Sequence, residues 1–123
     1  SAYLRENKPI TLSNSEPEPD IVVAQLPRSQ YLKHHPYPEN ILLLVEVSKS
    51  TFNYDTSVKK KVYSQANISE YWVVDVTRKK LIVYRSPVRG NYQEQTEVLS
   101  GAKISPLAFP NLEIAISEIF SVT

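Results

Sequence analysis

The sequence predicts an α/β fold from three observations. Ile41 to Val47 (ILLLVEV) is apolar except for one acid, a helical pattern follows it, and Tyr71 to Val76 (YWVVDV) is a second apolar run. A strand, a helix and a strand in that order form a unit whose two strands lie parallel through a right-handed crossover. At 123 residues, the chain has the length of one domain and can bury a core without staples. A single domain over 1–123 is expected.

Taken in order, Ser13 to Asp20 (SNSEPEPD) is a polar, proline-bearing approach that is no helix interior. Ile21 to Ala24 (IVVA), β-branched and continuously apolar, reads as a buried strand beginning at or just after Asp20. Gln25 to Asn40 carries Pro27, Pro36 and Pro38 and reads as a long surface loop with little regular structure. Ile41 to Val47 should be the central strand. From Asp55 to Ala66, a stripe of Tyr54, Val58, Val62 and Ala66 predicts a helix, stopped by Asn67 in a left-handed conformation. Lys80 to Tyr84 pairs with the preceding strand as a hairpin, Tyr92 to Leu99 is a further strand, and Ile114 to Phe120 packs as a short element.

Lys and Arg number 14 against 13 Asp and Glu, so the overall charge carries no electrostatic footprint for nucleic acid. The cations Lys59, Lys60, Lys61, Arg78, Lys79, Lys80, Arg85 and Arg89 gather in the second half, where the ordinary reading is a solvated face. The absence of cysteine excludes a disulfide framework and a thiolate zinc site, and the cytoplasm is the expected location. The longest apolar run is far short of the roughly 20 residues of a membrane helix, so no membrane partner is expected.

Two acids stand out by position. Asp20 lies at the mouth of a buried strand, where it also suits a turn. Glu46 lies inside the most apolar strand, where a carboxylate is costly without a partner or a metal, unless it reaches solvent at the strand end. Neighbouring strands could bring the two together, and hard oxygen ligands suit magnesium or manganese. On the helix, Val58 and Val62 facing the sheet would turn Lys60 to solvent and leave Lys59 and Lys61 flanking the stripe. Lys59 also stands four residues after Asp55, the spacing of an ordinary surface ion pair. His34 and His35 read as solvent-facing, Tyr71 and Trp72 as core, and Asp75 as structural.

The succession Glu16 to Val23 (EPEPDIVV), Leu44 to Ser48 (LVEVS), Tyr54-Asp55 with Lys59 and Tyr63, Glu70 to Asp75 (EYWVVD) and Ile104 to Leu107 (ISPL) resembles the Uma-two family of restriction endonucleases in the PD-(D/E)XK nuclease superfamily. The resemblance implies a restriction-endonuclease-like mixed β-sheet flanked by helices. It further implies catalytic Asp20, Glu46 and Lys59, and a Mg2+ or Mn2+ ion on Asp20, Glu46 and the Val47 carbonyl. The superfamily's usual lysine would stand at position 48, which is Ser48 here. Lys49 points to the other face of the strand, and the family pattern selects Lys59. Family members carry roughly another half-domain upstream, so the resemblance implies a domain short of that N-terminal part.

The implied function is a metal-dependent endonuclease acting on DNA, with DNA as partner and a homodimer as the assembly open to it. The alternative is a catalytically inactive binding or interaction module that keeps the nuclease fold.

Overall fold

The computed structural model describes residues 2–121. Six strands, Tyr3–Glu6 (β1), Ile21–Ala24 (β2), Ile41–Ser48 (β3), Glu70–Asp75 (β4), Lys80–Val88 (β5) and Asn91–Val98 (β6), form one sheet in chain order. Only β3 and β4 are parallel; every other neighbour in this sheet is antiparallel. The mixed sheet follows from connection length. Short turns return β4 to β5 and β5 to β6, whereas a parallel return needs the crossover helix between β3 and β4.

That crossover is one continuous helical segment of three parts: Phe52–Tyr54 (α1), a π-helical turn Asp55–Lys59, and Lys60–Gln65 (α2). It ends where Asn67 turns to φ 59°, the left-handed stop expected there. It covers one face of the sheet, where Val22, Leu44, Tyr71, Val73, Ile82 and Tyr84 are buried with Tyr63 from the helix. On the other face Leu43, Val45, Trp72, Val74, Leu81 and Val83 pack beneath the C-terminal segment. That segment is a small ladder of Lys103–Ile104 (β7) with Ile114–Ala115 (β8), followed by Ile116–Ser121 (α3). Both faces are covered, so β3 and β4 carry apolar side chains at alternate and adjacent positions alike.

Three expectations are corrected. First, β1 has no counterpart in the sequence reading, because its one buried residue is Arg5 and its neighbours Leu4 and Glu6 are exposed, so no apolar alternation marks it. Second, the helix begins at Phe52; of the expected stripe Val62 and Ala66 pack against the core, but Tyr54 and Val58 are about half exposed, and Phe52, Asp55, Lys59 and Tyr63 face inward instead. The true stripe includes two charged residues, so hydropathy selects the neighbouring row; the π turn, with one residue more than an α turn, shifts the face again. Third, Gln25 to Asn40 is a loop, but it contains two 3-10 turns, Arg28–Leu32 and Pro38–Asn40.

Glu70, fully buried at the start of β4, ties the C-terminal segment to the sheet. Its carboxylate accepts hydrogen bonds from Trp72 Nε1 at 2.8 Å, Arg85 Nε at 2.7 Å and the Leu107 amide at 2.9 Å. Arg85 Nη2 in turn donates to the Ser105 carbonyl at 2.7 Å. Replacing Glu70 with alanine leaves these donors unpaired, and loss of one partner of a buried pair costs about 3 kcal/mol or more. Glu70→Ala should therefore lower the unfolding free energy by that amount, read as a fall in the urea midpoint at unchanged slope. Emission from Trp72, the only tryptophan, will follow both the unfolding and the lost indole hydrogen bond.

Candidate active site

The antiparallel pairing of β2 with β3 sets Ile21 opposite Val45, and the same register carried one step back sets Asp20 opposite Glu46. The two are joined directly. The Asp20 amide donates to Glu46 Oε1 at 3.2 Å, and the Val47 amide donates to Asp20 Oδ2 at 2.6 Å. N–H and C=O of one strand residue project from the same edge, so the Val47 carbonyl lies on the edge facing Asp20, beyond the last β2–β3 pair. The site is thus built just before β2 begins, beside the C-terminal end of β3.

Glu46 is 5 % exposed, and its other oxygen is held from the helix. Oε2 accepts from Lys59 Nζ at 3.0 Å and from the Tyr63 hydroxyl at 2.9 Å. Burial raises the Glu46 carboxyl above its ordinary range; Lys59, Tyr63 and the Asp20 amide oppose this without cancelling it. Burial and the neighbouring Glu46 charge push the Tyr63 hydroxyl far up, which keeps it a proton donor in its hydrogen bond.

The structure brings Asp20, Glu46 and Lys59 together and sends the other candidate lysines elsewhere. Lys61 Nζ bonds the Gly90 carbonyl at 3.2 Å. Lys60, expected in solvent, instead lies over the Tyr84 ring at 5.5 Å and is partly covered. Lys49 is exposed. The surface pair between Asp55 and Lys59 does not form. Asp55 is buried and accepts from the hydroxyls of Ser48 and Thr51, the latter at 2.7 Å, while the Asp55 carbonyl accepts from Tyr71 at 2.9 Å. Ser48, at the position of the usual lysine, thus anchors the first turns of the helix that carries Lys59.

The remaining candidates are structural. Tyr71 and Trp72 are core, and Asp75 is buried with Arg78 Nη1 and the Arg78 amide each at 3.1 Å, closing the β4–β5 turn. His34 and His35 are partly exposed in the loop, where His34 stacks on Tyr37 at 4.2 Å and its Nδ1 is 2.7 Å from the His35 carbonyl. Tyr63 was not singled out for a role by sequence reasoning. Its place four residues after Lys59, on the same helix face, is the signal that finds it. Chemically, the site offers two carboxylates and a backbone carbonyl, all hard oxygen donors, beside one cation. No group of three Asp, Glu, His or Cys side chains with metal-ligand geometry occurs among the described residues. Any ion here would keep water in its remaining positions, as magnesium commonly does.

Mixed sheet, crossover helix and acid-lined strand ends together define a domain of the restriction-endonuclease-like nuclease fold. The chain is similar to a solved structure from Anabaena variabilis, described as a "putative nuclease belonging to DUF820". The similarity has a TM-score of 0.70 at 17% identity and covers 98% of this chain and 68% of that one. The sequence model of the Uma2 family, described as "Putative restriction endonuclease", matches residues 1–117, and the chain belongs to that family. No curated protein matches it significantly.

A carboxyl whose pKa is raised on folding loses stability as pH rises from its unfolded value through its folded one. Glu46 has an ordinary value of 4.5 and is raised in the fold. Relative to wild type, Glu46→Gln should therefore be more stable at about pH 7 than at about pH 4. Paired denaturant titrations in metal-free buffer at the two pH values check the sign; a difference that is flat or reversed contradicts it.

Proposed function

We propose that this domain is a divalent-metal-dependent endonuclease that hydrolyses phosphodiester bonds of DNA. The observation that carries the reading is the convergence of Asp20, Glu46 and Lys59, from a strand entry, a strand end and a helix, in one hydrogen-bonded group. Nothing in local packing requires a carboxylate at position 46. It is buried, its ionisation is penalised, and three donors, one from the approach to β2 and two from the crossover helix, hold it.

Asp20, Glu46 and the Val47 carbonyl would hold a magnesium or manganese ion, which when bound supplies Lewis acidity and a water of lowered pKa. The chain's own residues do the rest. Tyr63 and the Asp20 amide fix the Glu46 carboxylate so that little reorganisation is needed on binding. The Val47 amide does the same for Asp20. Lys59, with its side chain about one-fifth exposed, reaches the mouth of the site and can exchange its contact with Glu46 for a non-bridging phosphate oxygen. There it would stabilise the charge that develops as the phosphorus is attacked. A chain without cysteine suits a reducing cytoplasm. No helix among the described residues is long and apolar enough to cross a membrane.

The test is plasmid nicking with magnesium or manganese by wild type, Lys59→Met and Lys61→Ala. Removing one charge-stabilising donor costs about 10²–10³ in turnover, so Lys59→Met should fall by that factor and Lys61→Ala should retain activity. The Lys59→Met fold should persist, since Glu46 can take up a proton once its cation is gone. Equal cleavage by both variants would remove Lys59 from the mechanism. Calorimetric titration with manganese should show binding to wild type that is lost in Asp20→Asn and in Glu46→Gln. Undiminished binding by those variants would refute the metal site, and folded, metal-binding protein that cleaves no DNA would favour the interaction module.

A further inference from the structure

On the same face of the sheet as Asp20 and Glu46, but at its edge, lies a cationic cleft with no assigned role. It has a volume of about 390 Å³ and is lined by Tyr3 and Arg5 of β1, Lys8 just beyond, and Arg28, Ser29 and Tyr31 of the first 3-10 turn. Arg5 is opposite Val22, so its side chain joins the face that carries the helix. It is only 6 % exposed, and its Nε and Nη1 are buried with no hydrogen-bond partner. A buried guanidinium with unpaired N–H groups is costly, since each unmade bond forfeits the desolvation penalty of its donor.

What holds Arg5 is aromatic. Its guanidinium lies over the Tyr31 ring at 5.6 Å, Tyr31 stacks on Tyr3 at 5.8 Å with 19° between the rings, and Arg28 lies over Tyr3 at 5.0 Å. A ring beside the guanidinium accepts none of its N–H bonds, so Nε and Nη1 remain unpaired at the buried base of the cleft, and a phosphate reaches them only by entering it. Among the described residues no carboxylate forms an ion pair with Arg5, Lys8 or Arg28. None lines the cleft. Three cations therefore converge on one opening without a counter-charge, in a chain whose total charge is only +1.

Position adds a second argument. The Asn7 amide bonds the Asp20 carbonyl at 3.0 Å, and Arg5 stands two residues back along the same strand. That is about 7 Å at 3.3 Å per residue, a distance a nucleic-acid strand covers in about two nucleotides at 3.4 Å of axial rise each. Along β1, Arg5 thus stands about one phosphate spacing from the level of Asp20, a scale that suits a neighbouring phosphate of a strand bound at Asp20 and Glu46.

We propose that Arg5, Lys8 and Arg28 form a phosphate-binding subsite beside the candidate active site, with Arg5 as the buried fork and the two exposed cations at its mouth. The phosphate is that of a nucleic-acid backbone, which rests on the nuclease reading, or a free phosphate of the same chemistry. Single-stranded oligothymidylate carrying a fluorescent label, inorganic phosphate and thymidine monophosphate serve as probes, all in EDTA so that metal binding and cleavage play no part.

Anisotropy should show the oligonucleotide binding wild type and weakening about tenfold in Lys8→Ala/Arg28→Ala, two exposed positions whose change leaves the fold alone. The slope of log K against log salt should shrink by about 0.7 per cation removed. Arg5→Gln, with its fold verified by Trp72 emission, should weaken binding at least as much. A backbone source is shown by an oligonucleotide that binds far more tightly than either small phosphate. A free-phosphate source is shown if the small phosphates bind and the same substitutions weaken them while the oligonucleotide does not compete. If no probe binds, or if binding is the same in wild type and in both variants, the subsite does not exist. Because no step depends on metal, a failure of cleavage would leave this result untouched, and a failure here would leave the active site standing.

Discussion

The rest of the structure is organised around one buried carboxylate. Glu46 sits near the end of the central strand, 5 % exposed, where an unsupported negative charge would cost far more than the few kilocalories by which a domain of this size is stable. Its support comes from two sides: the Asp20 amide across the sheet, and Lys59 and Tyr63 from the crossover helix. Those contacts hold only if β2 begins at Ile21, β3 runs on to Ser48, and the helix lies over the same face in one rotational setting. Local geometry, packing and the candidate chemistry are therefore fixed by the same four groups.

The helix obtains that setting from a second buried acid. Asp55 accepts hydroxyl hydrogen bonds from Ser48 and Thr51, which ties the helix start to the end of β3. The π turn begins at Asp55 and ends at Lys59, and π turns recur where a functional side chain must be re-aimed. A serine at position 48 is thus consistent with a cation delivered from the helix. The strand residue no longer supplies charge to the site but positions the element that does. Tyr71 adds to the same anchor by bonding the Asp55 carbonyl, so the aromatic layer of Tyr63, Tyr71 and Tyr84 supports the site and does more than fill space.

At the β1 edge the logic is reversed. Glu46 is buried with every partner supplied from within, whereas Arg5 is buried and held by ring faces that leave its N–H edge unpaired. The first arrangement pre-orients a charged group within the fold. The second leaves a buried charge with two donors unpaired, and the two lie on one face of the sheet.

The sequence by itself determined the α/β class, the central strand and the parallel unit, and it marked Asp20 and Glu46 as acids that neighbouring strands could bring together. These are legible because an acid within Ile41–Val47 interrupts a strongly apolar run, and because strand alternation assigns faces. The family resemblance separated Lys59 from Lys61, which helix geometry alone left equivalent. The tertiary structure alone decided the rest. β1 is invisible locally, since a four-residue strand whose buried residue is arginine carries no hydropathy signal; it exists through its pairing with β2. The helix face was misread because the inward row holds Asp55 and Lys59, whose burial is acceptable only once Ser48, Thr51 and Glu46 stand opposite them. Glu70 likewise reads as an ordinary polar residue until Trp72, Arg85 and Leu107 converge on it from three segments. Apolar burial is written in sequence period, but the burial of a charge depends on partners distant in the chain, and only the folded molecule brings them together.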